Sequence, residues 1–186
     1  MKIKNDLLSY SHGKYNMLKQ NIVSLLDCLG YCFRWDKEQE LMLLCSKNDL
    51  SDTVVEKVEP EIAKKIWEYN YFKNKGDLES KRNVLRSIAN DLEPKREIIS
   101  NLSPKISTSL FWGLNKLQIR HNTDEGRKII AKFTIEELET TYDYVYQTAL
   151  LAFFIVEDKT CYERINEIKT EYDNSTQPPK PPLPLA

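Results

Sequence analysis

The residues best suited to chemistry lie between Leu110 and Gly126, a segment that contains the adjacent pair Arg120-His121. An arginine offers a fork of N–H groups that matches the oxygens of a phosphate, and a histidine exchanges protons near neutral pH. Arg120 is therefore a candidate for holding a phosphate, and His121 is a candidate general acid or base. This pairing of residue types is suited to binding or cutting a phosphodiester.

Basic residues surround this pair. From position 104 to 133 the chain has six lysines and arginines against two acidic residues, an excess of +4, whereas the whole chain of 186 residues has a net charge of −1. The overall charge argues against a general polyanion or membrane binder, so a contact with nucleic acid must come from a local patch. If this stretch binds RNA, Asn122 with Lys116 or Arg127 would position the nucleic acid, so these three are the candidate nucleic-acid-binding residues.

The same residues also have a purely structural interpretation. On a helix that extends to residue 121, His121 shares a face with Leu114 and Leu117, and Arg120 shares another face with Lys116. A histidine on a leucine face is often a packed, hydrogen-bonded side chain, and an arginine at a helix end often forms a salt bridge. The sequence leaves both interpretations open.

The stretch from Leu110 to Asn122 resembles the arginine-containing helix end of HEPN domains, small α-helical bundles found in abortive-infection, toxin–antitoxin and CRISPR ribonucleases. The family signature is an arginine, a polar residue and, after a gap, a histidine; members dimerise and cut RNA without metal. Arg120-His121 matches the first two positions. No histidine follows at residues 124–127, where the second one is expected, and the only other histidine in the chain is His12.

The resemblance implies a metal-independent ribonuclease or RNA-binding protein of phage defence that acts as a homodimer. The missing histidine favours an alternative, a non-catalytic accessory or interaction subunit of a multi-protein antiphage complex. An antitoxin-like or regulatory binder is a third possibility. The wider segment, roughly residues 60–166 and a little more than half of the chain, resembles small bacterial proteins that share an Ile-Arg-His-Asn core.

Other chemistries lack their motifs. The five glycines are scattered, so no phosphate-binding glycine loop can form, and no two of the four cysteines have the spacing of a zinc or redox site. We therefore expect no metal and no cofactor. The N-terminus has no apolar signal core, and the most apolar run, residues 144–156, is too short to span a bilayer. A cytoplasmic protein without a membrane segment is expected.

The elements that must position these residues are mostly helical in pattern. Apolar spacing, proline positions and capping residues predict helices over about 16–29, 60–73, 78–92, 104–121 and 134–157. Asp77 is expected to cap the third of these, and Thr134 with Glu137 forms a capping box at the start of the last. Pro94 is expected to break or kink the helical pattern after residue 92. Residues 31–50 are ambiguous: residues 31–33 have an extended character, and residues 38–45 fit a short helix. The pattern therefore predicts an all-α bundle of five to six helices, with the helices 104–121 and 134–157 at its centre. The resemblance implies that this bundle is HEPN-like.

Three regions are expected along the chain. Residues 1–58 form an N-terminal helical segment, either part of the bundle or a separate adaptor; residues 59–173 form the HEPN-like core; and residues 174–186 form a proline-rich flexible tail. The helix 134–157 is apolar on nearly all sides, which predicts a homodimer or association with a partner subunit. The aromatic residues, Phe111 and Trp112 among them, are expected in the core or at an interface rather than on a base-stacking surface.

Overall fold

The computed structural model describes residues 13–36, 40–158, 163, 165 and 167–170. Within these ranges the chain forms eight α-helices and one β-hairpin. The helices are α1 (Gly13–Cys28), α2 (Asp49–Val55), α3 (Pro60–Tyr69), α4 (Leu78–Leu92), α5 (Arg96–Leu102), α6 (Pro104–Lys116), α7 (Asp124–Ile130) and α8 (Ile135–Glu157).

The hairpin consists of β1 (Tyr31–Asp36) and β2 (Leu41–Ser46), which pair antiparallel with Cys32 opposite Cys45. The Ser46 N–H donates to the Asn70 carbonyl oxygen at 2.8 Å, which fastens the hairpin to the end of α3. The extended character of residues 31–33 is therefore confirmed, whereas the short helix considered for residues 38–45 is wrong over its described residues, 40–45. Its leucines and methionine favour a helix, but pairing with the aromatic-rich β1 overrides that preference.

The hydrophobic core lies where α4, α6 and α8 meet, as expected for the last two. Leu85, Leu114 and Phe153, one from each helix, are fully buried. Gly113 permits a close approach of α6 to α8, because a Cβ at this position would lie 2.9 Å from Val145 Cγ2. The short α2 also reaches this core through Val54, so residues 49–55 pack against the bundle.

The helix starts agree with their local signals. Asp77 caps α4 by accepting the Ser80 N–H at 3.0 Å. Thr134 and Glu137 form the expected capping box at the start of α8: the Glu137 N–H donates to Thr134 Oγ1, and the Thr134 N–H donates to Glu137 Oε2. Pro94 interrupts the helical pattern as predicted and lies in a 3-10 turn (Glu93–Lys95) between α4 and α5.

The expected mainly helical fold is confirmed, but the all-α description omits the hairpin and the number of helices is larger than five to six. The three helices without a predicted counterpart are the short α2, α5, which follows Pro94, and α7, which begins at Asp124; the predicted helix 104–121 ends early, at Lys116. Helix α3 likewise ends at Tyr69 rather than near residue 73.

The two ends of the described chain differ in packing. In α1, from Asn16 to Cys28, all side chains are exposed except Leu26, which is half-buried. In α8, nine of the 23 residues are buried, whereas Ile135, Tyr144 and Leu151 are exposed. The proline-rich tail predicted for residues 174–186 lies outside the described residues.

Candidate functional site

The five predicted site residues lie around one corner of the chain, where α6 ends and α7 begins. The expected helix over 104–121 stops at Lys116, and Arg120 and His121 lie in the following loop rather than at a helix end. The predicted shared face of His121 and the leucines is therefore wrong: Leu114 and Leu117 are buried, whereas His121 is exposed. Lys116 precedes this loop, Asn122 lies within it, and Arg127 lies on α7.

Gln118 explains where the helix ends. Its φ of 58° places it in the left-handed region, a conformation that costs an ordinary residue about 1–2 kcal/mol. The Gln118 side chain is buried and donates from Nε2 to the Thr123 carbonyl oxygen at 3.2 Å. Gly126 fits closely against this turn, since a Cβ there would lie 3.0 Å from both Gln118 Cγ and the Lys116 carbonyl oxygen. These contacts hold the start of the loop, at residues 116–118, against its end, at residues 123–126.

The neighbouring helices α4 and α8 form hydrogen bonds to the same loop. Ile119 is fully buried, and its carbonyl oxygen accepts a hydrogen bond from Arg86 Nε of α4 at 2.8 Å. The Tyr142 hydroxyl of α8 donates to the Leu117 carbonyl oxygen at 3.3 Å. The loop is therefore held by α4 and α8, which gives the exposed residues after Ile119 a fixed base.

Arg120 turns back towards the start of α5. Its Nη1 donates to Glu93 Oε2 at 2.5 Å, and the Arg120 side chain is only 18% exposed. Glu93 also pairs with Arg96 at 3.3 Å. The salt-bridging interpretation of Arg120 is therefore the arrangement observed in the free chain, and a phosphate that binds this guanidinium must compete with the Glu93 carboxylate.

The other two predicted cations, Lys116 and Arg127, form ion pairs that are more exposed than the pair of Arg120 with Glu93. Lys116 pairs with Glu125 across the corner, and Arg127 pairs with Asp124 at 3.7 Å on the surface of α7. The two acidic residues of the predicted +4 segment thus lie against two of its cations. Exposed ion pairs of this kind contribute about 0–1 kcal/mol, so a phosphate can replace either carboxylate at little cost.

A groove between α5 and α6 leads into this corner. Its volume is about 820 Å³, and both Lys116 and Glu93, the partner of Arg120, line it. Trp112 also lines the groove and is 53% exposed, whereas its neighbour Phe111 is buried beneath the Arg96 guanidinium at 4.4 Å. Phe111 therefore lies in the core and Trp112 does not, because these adjacent side chains point to different sides of α6. That Trp112 lies at an interface stays a prediction.

A second polar pocket was not anticipated. Its volume is about 420 Å³, and it lies between the ends of β2 and α3 and the first half of α8. Lys81 is nearly buried there, and its Nζ donates to Asp143 Oδ1 at 2.7 Å and contacts Glu139 Oε1 at 2.8 Å. The signal in the sequence was a lysine at an apolar position of α4, between Leu78 and Leu85.

Two tyrosines complete this second pocket. The Tyr69 hydroxyl donates to Asp143 Oδ1 at 2.8 Å, and the rings of Tyr69 and Tyr146 stack with centroids 4.0 Å apart. Burial, the Asp143 charge and this hydrogen bond raise the pKa of Tyr69, so it stays a neutral donor. Every charged group at the centre of the pocket has a partner, and the arrangement joins α3, α4 and α8.

Two further surveys concern the described part of the chain alone. Among those residues, no group of three or more His, Cys, Asp or Glu side chains is placed to hold a metal ion. None of the helices in the same ranges is long and apolar enough to cross a bilayer.

Comparisons of the chain with protein-family models, with curated proteins and with solved structures find no match. The HEPN resemblance therefore rests on the residues around Arg120-His121 alone.

Proposed function

We propose that this protein binds RNA through the corner between α6 and α7, as a HEPN-like protein of bacterial phage defence. The observation that carries the proposal is the groove between α5 and α6, which is lined by Lys116 and by the Glu93 partner of Arg120. A nucleic-acid strand in this groove would meet the predicted phosphate-binding arginine at its end. The exposed His121 and Asn122 follow in the same loop.

The ion pairs of the corner support binding by exchange of partners. Lys116 is half-buried and Arg127 is exposed, and both have exposed acidic partners, so RNA phosphates replace those carboxylates readily. The Arg120–Glu93 pair is more buried and costs more to open, but a phosphate offers the same bidentate acceptor geometry as a carboxylate. Arg120 therefore contributes to RNA binding only when its salt bridge with Glu93 opens.

Binding is tested by measuring the affinity of a labelled single-stranded RNA for four variants. Arg120→Ala is expected to weaken binding about tenfold or more, since a charged hydrogen bond is lost. Glu93→Gln is expected to tighten binding, because it frees Arg120, and Glu97→Gln serves as its control in the same groove. Lys128→Ala controls for loss of a surface charge. If Glu93→Gln and Glu97→Gln change the affinity equally, Arg120 is not the phosphate ligand.

Cleavage is the stronger form of the proposal and requires a proton-transferring group beside the phosphate. In metal-free cleavage the ribose 2′-OH attacks phosphorus as it loses its proton, and the departing 5′-oxygen gains one. His121 is the group in the loop that can exchange these protons. RNA incubated with a chelator should be cut by the native protein but not by His121→Ala, and RNA with a methylated 2′-oxygen should stay intact. Native protein that binds RNA but cuts none restricts the function to binding.

The accessory-subunit alternative is favoured by α1. The apolar side chains Met17, Leu18, Ile22, Val23 and Leu25 of this helix are between 46% and 63% exposed. Such a surface is typical of a protein interface. Sedimentation of the native chain and of the variant Leu18→Asp/Leu25→Asp would test this: association that the variant abolishes supports an interaction role, and a native monomer at every concentration contradicts self-association through α1.

A further inference from the structure

Uncharged polar side chains are the largest group among the residues that line the groove between α5 and α6, five of twelve. Ser100 and Asn101 of α5 face Thr108 and Asn115 of α6 across it. The charged lining residues are Arg96 and Lys116 against Glu93 and Glu97, so the groove carries no net charge. A ligand that fits this lining is held by hydrogen bonds and ring contacts more than by charge.

Trp112 gives the groove an aromatic face. Trp112 is 53% exposed, although burial of the large apolar surface of a tryptophan stabilises a protein. Among the described residues, none of the ring–ring or cation–ring contacts found involves Trp112. An exposed indole beside a polar groove is the surface on which an unpaired base stacks, and each such stack is worth about 1–3 kcal/mol.

Asn115 lies one turn beyond Trp112 on α6 and has an unmet hydrogen-bonding requirement. Its Oδ1 is buried and accepts no hydrogen bond from the described residues. A buried acceptor without a donor is uncommon. Because Asn115 lines the groove, rotation of its amide would present Oδ1 there to a donor on a ligand. An exocyclic amine or ring N–H of a nucleobase is such a donor, and asparagine is a common reader of base edges.

We propose that the groove between α5 and α6 holds a single unpaired nucleobase of RNA, stacked on Trp112 and hydrogen-bonded to Asn115. This inference rests on the proposed function and specifies its substrate as single-stranded rather than duplex RNA. In a duplex the faces of the bases are covered by their neighbours and their pairing edges are occupied, so neither contact can form. Lys116 at the end of the groove then contacts the phosphate that follows the bound base.

The contact with Trp112 is tested by fluorescence in the variant Trp35→Phe/Trp67→Phe, which leaves Trp112 as the only tryptophan. A short oligoadenylate is expected to quench its emission. An abasic strand of the same length and a perfectly paired duplex are expected to leave the emission nearly unchanged. Equal quenching by the abasic strand would overturn the inference, because stacking requires a base.

The affinities in the otherwise native chain provide a second measurement. Trp112→Leu is expected to weaken oligoadenylate binding about tenfold or more and to leave abasic-strand binding unchanged, whereas Trp35→Leu, at an exposed tryptophan outside the groove, changes neither. Asn115→Ala is expected to weaken oligoadenylate binding by a smaller factor. Circular dichroism and thermal unfolding confirm that each variant is folded.

The outcomes separate the two proposals. If oligoadenylate binds with an affinity that depends on Arg120 but not on Trp112, the base site is refuted and the RNA-binding corner stands. If native protein binds neither oligoadenylate nor any other RNA, the proposed function fails, and the base site fails with it.

Discussion

Lys81 pairs with two carboxylates of α8. Its Nζ contacts Asp143 Oδ1 at 2.7 Å and Glu139 Oε1 at 2.8 Å, and the Lys81 side chain is 9% exposed. Lys81→Met keeps the apolar stem but leaves both carboxylates without their cation. We expect the free energy of unfolding to fall by about 2 kcal/mol, less than for a fully buried pair because Asp143 is half-exposed.

Urea unfolding measures this loss, with Lys128→Met as the control. Lys128 is exposed on α7, and its substitution should change the free energy of unfolding by less than about 0.5 kcal/mol. Equal stability of the two variants would show that the Lys81 cluster contributes nothing beyond an ordinary surface lysine.

Glu139 makes the stability depend on pH. Burial opposes its ionisation, but the hydrogen bonds from Lys81 and from the Gly76 N–H outweigh burial and lower the pKa of Glu139. A carboxylate whose pKa is lower in the folded chain stabilises it above the unfolded pKa, and this stabilisation is lost as the pH falls through the folded pKa. We expect Glu139→Gln to destabilise the chain at about pH 7 and to have less effect at about pH 3.

The measurement is urea unfolding of native protein and Glu139→Gln at both pH values. Glu136→Gln is the control, since Glu136 is exposed on the first turn of the same helix. An equal loss of stability for Glu139→Gln at both pH values would contradict a charge-dependent role.

The contact between α6 and α8 depends on a glycine. A Cβ at position 113 would lie 2.9 Å from Val145 Cγ2, closer than carbon atoms pack. Gly113→Ala gains about 1 kcal/mol of helix propensity but costs about 1–3 kcal/mol by overpacking, so we expect a net loss of stability.

A double-mutant cycle tests the cause. Val145→Ala removes the atoms that would clash, so Gly113→Ala should be neutral or stabilising in the Val145→Ala background. If Gly113→Ala costs the same free energy in both backgrounds, the tight contact with Val145 is not what requires glycine.

Local signals place the beginnings of helices better than their ends. Asp77 and the Thr134–Glu137 capping box were identified from the sequence because both ends of each hydrogen bond lie within three residues of one another. The end of α6 was predicted five residues too late. The left-handed turn at Gln118 is stabilised by Arg86 and Tyr142 contacts to the loop, and the local sequence does not contain these partners.

In the molecule as a whole, α1 is the element least attached to the core. Its side chains are mostly exposed, and Asp27 forms only a surface ion pair with Lys47. We therefore expect a protein that lacks residues 1–29 to fold cooperatively, with a midpoint of thermal unfolding that changes by only a few degrees. Deletion of residues 1–47 is the comparison, because it also removes the buried Cys45 and the hydrogen bond from Ser46 to Asn70. We expect this longer deletion to be clearly less stable.

Thermal unfolding followed by circular dichroism and calorimetry distinguishes the two deletions. Loss of cooperative unfolding in the shorter one would show that α1 belongs to the core. The same measurement tests which part of the expected N-terminal segment 1–58 belongs to the bundle. The last helix of this segment, α2, packs against α3 and α8.

The periodicity and capping residues were sufficient to predict a mainly helical chain, the interruption at Pro94 and the central positions of α6 and α8, since these properties depend on neighbours a few residues apart. They did not reveal that Glu93 holds Arg120, that Lys81 meets Asp143 from 62 positions away, or that Trp112 faces a groove while Phe111 is buried. Helical spacing assigns a side chain to one face of a helix. Packing between segments that are distant in the chain decides whether that face contacts another helix, a charged group or solvent. The fold and the candidate site therefore differ from the predictions at the positions that depend on such packing.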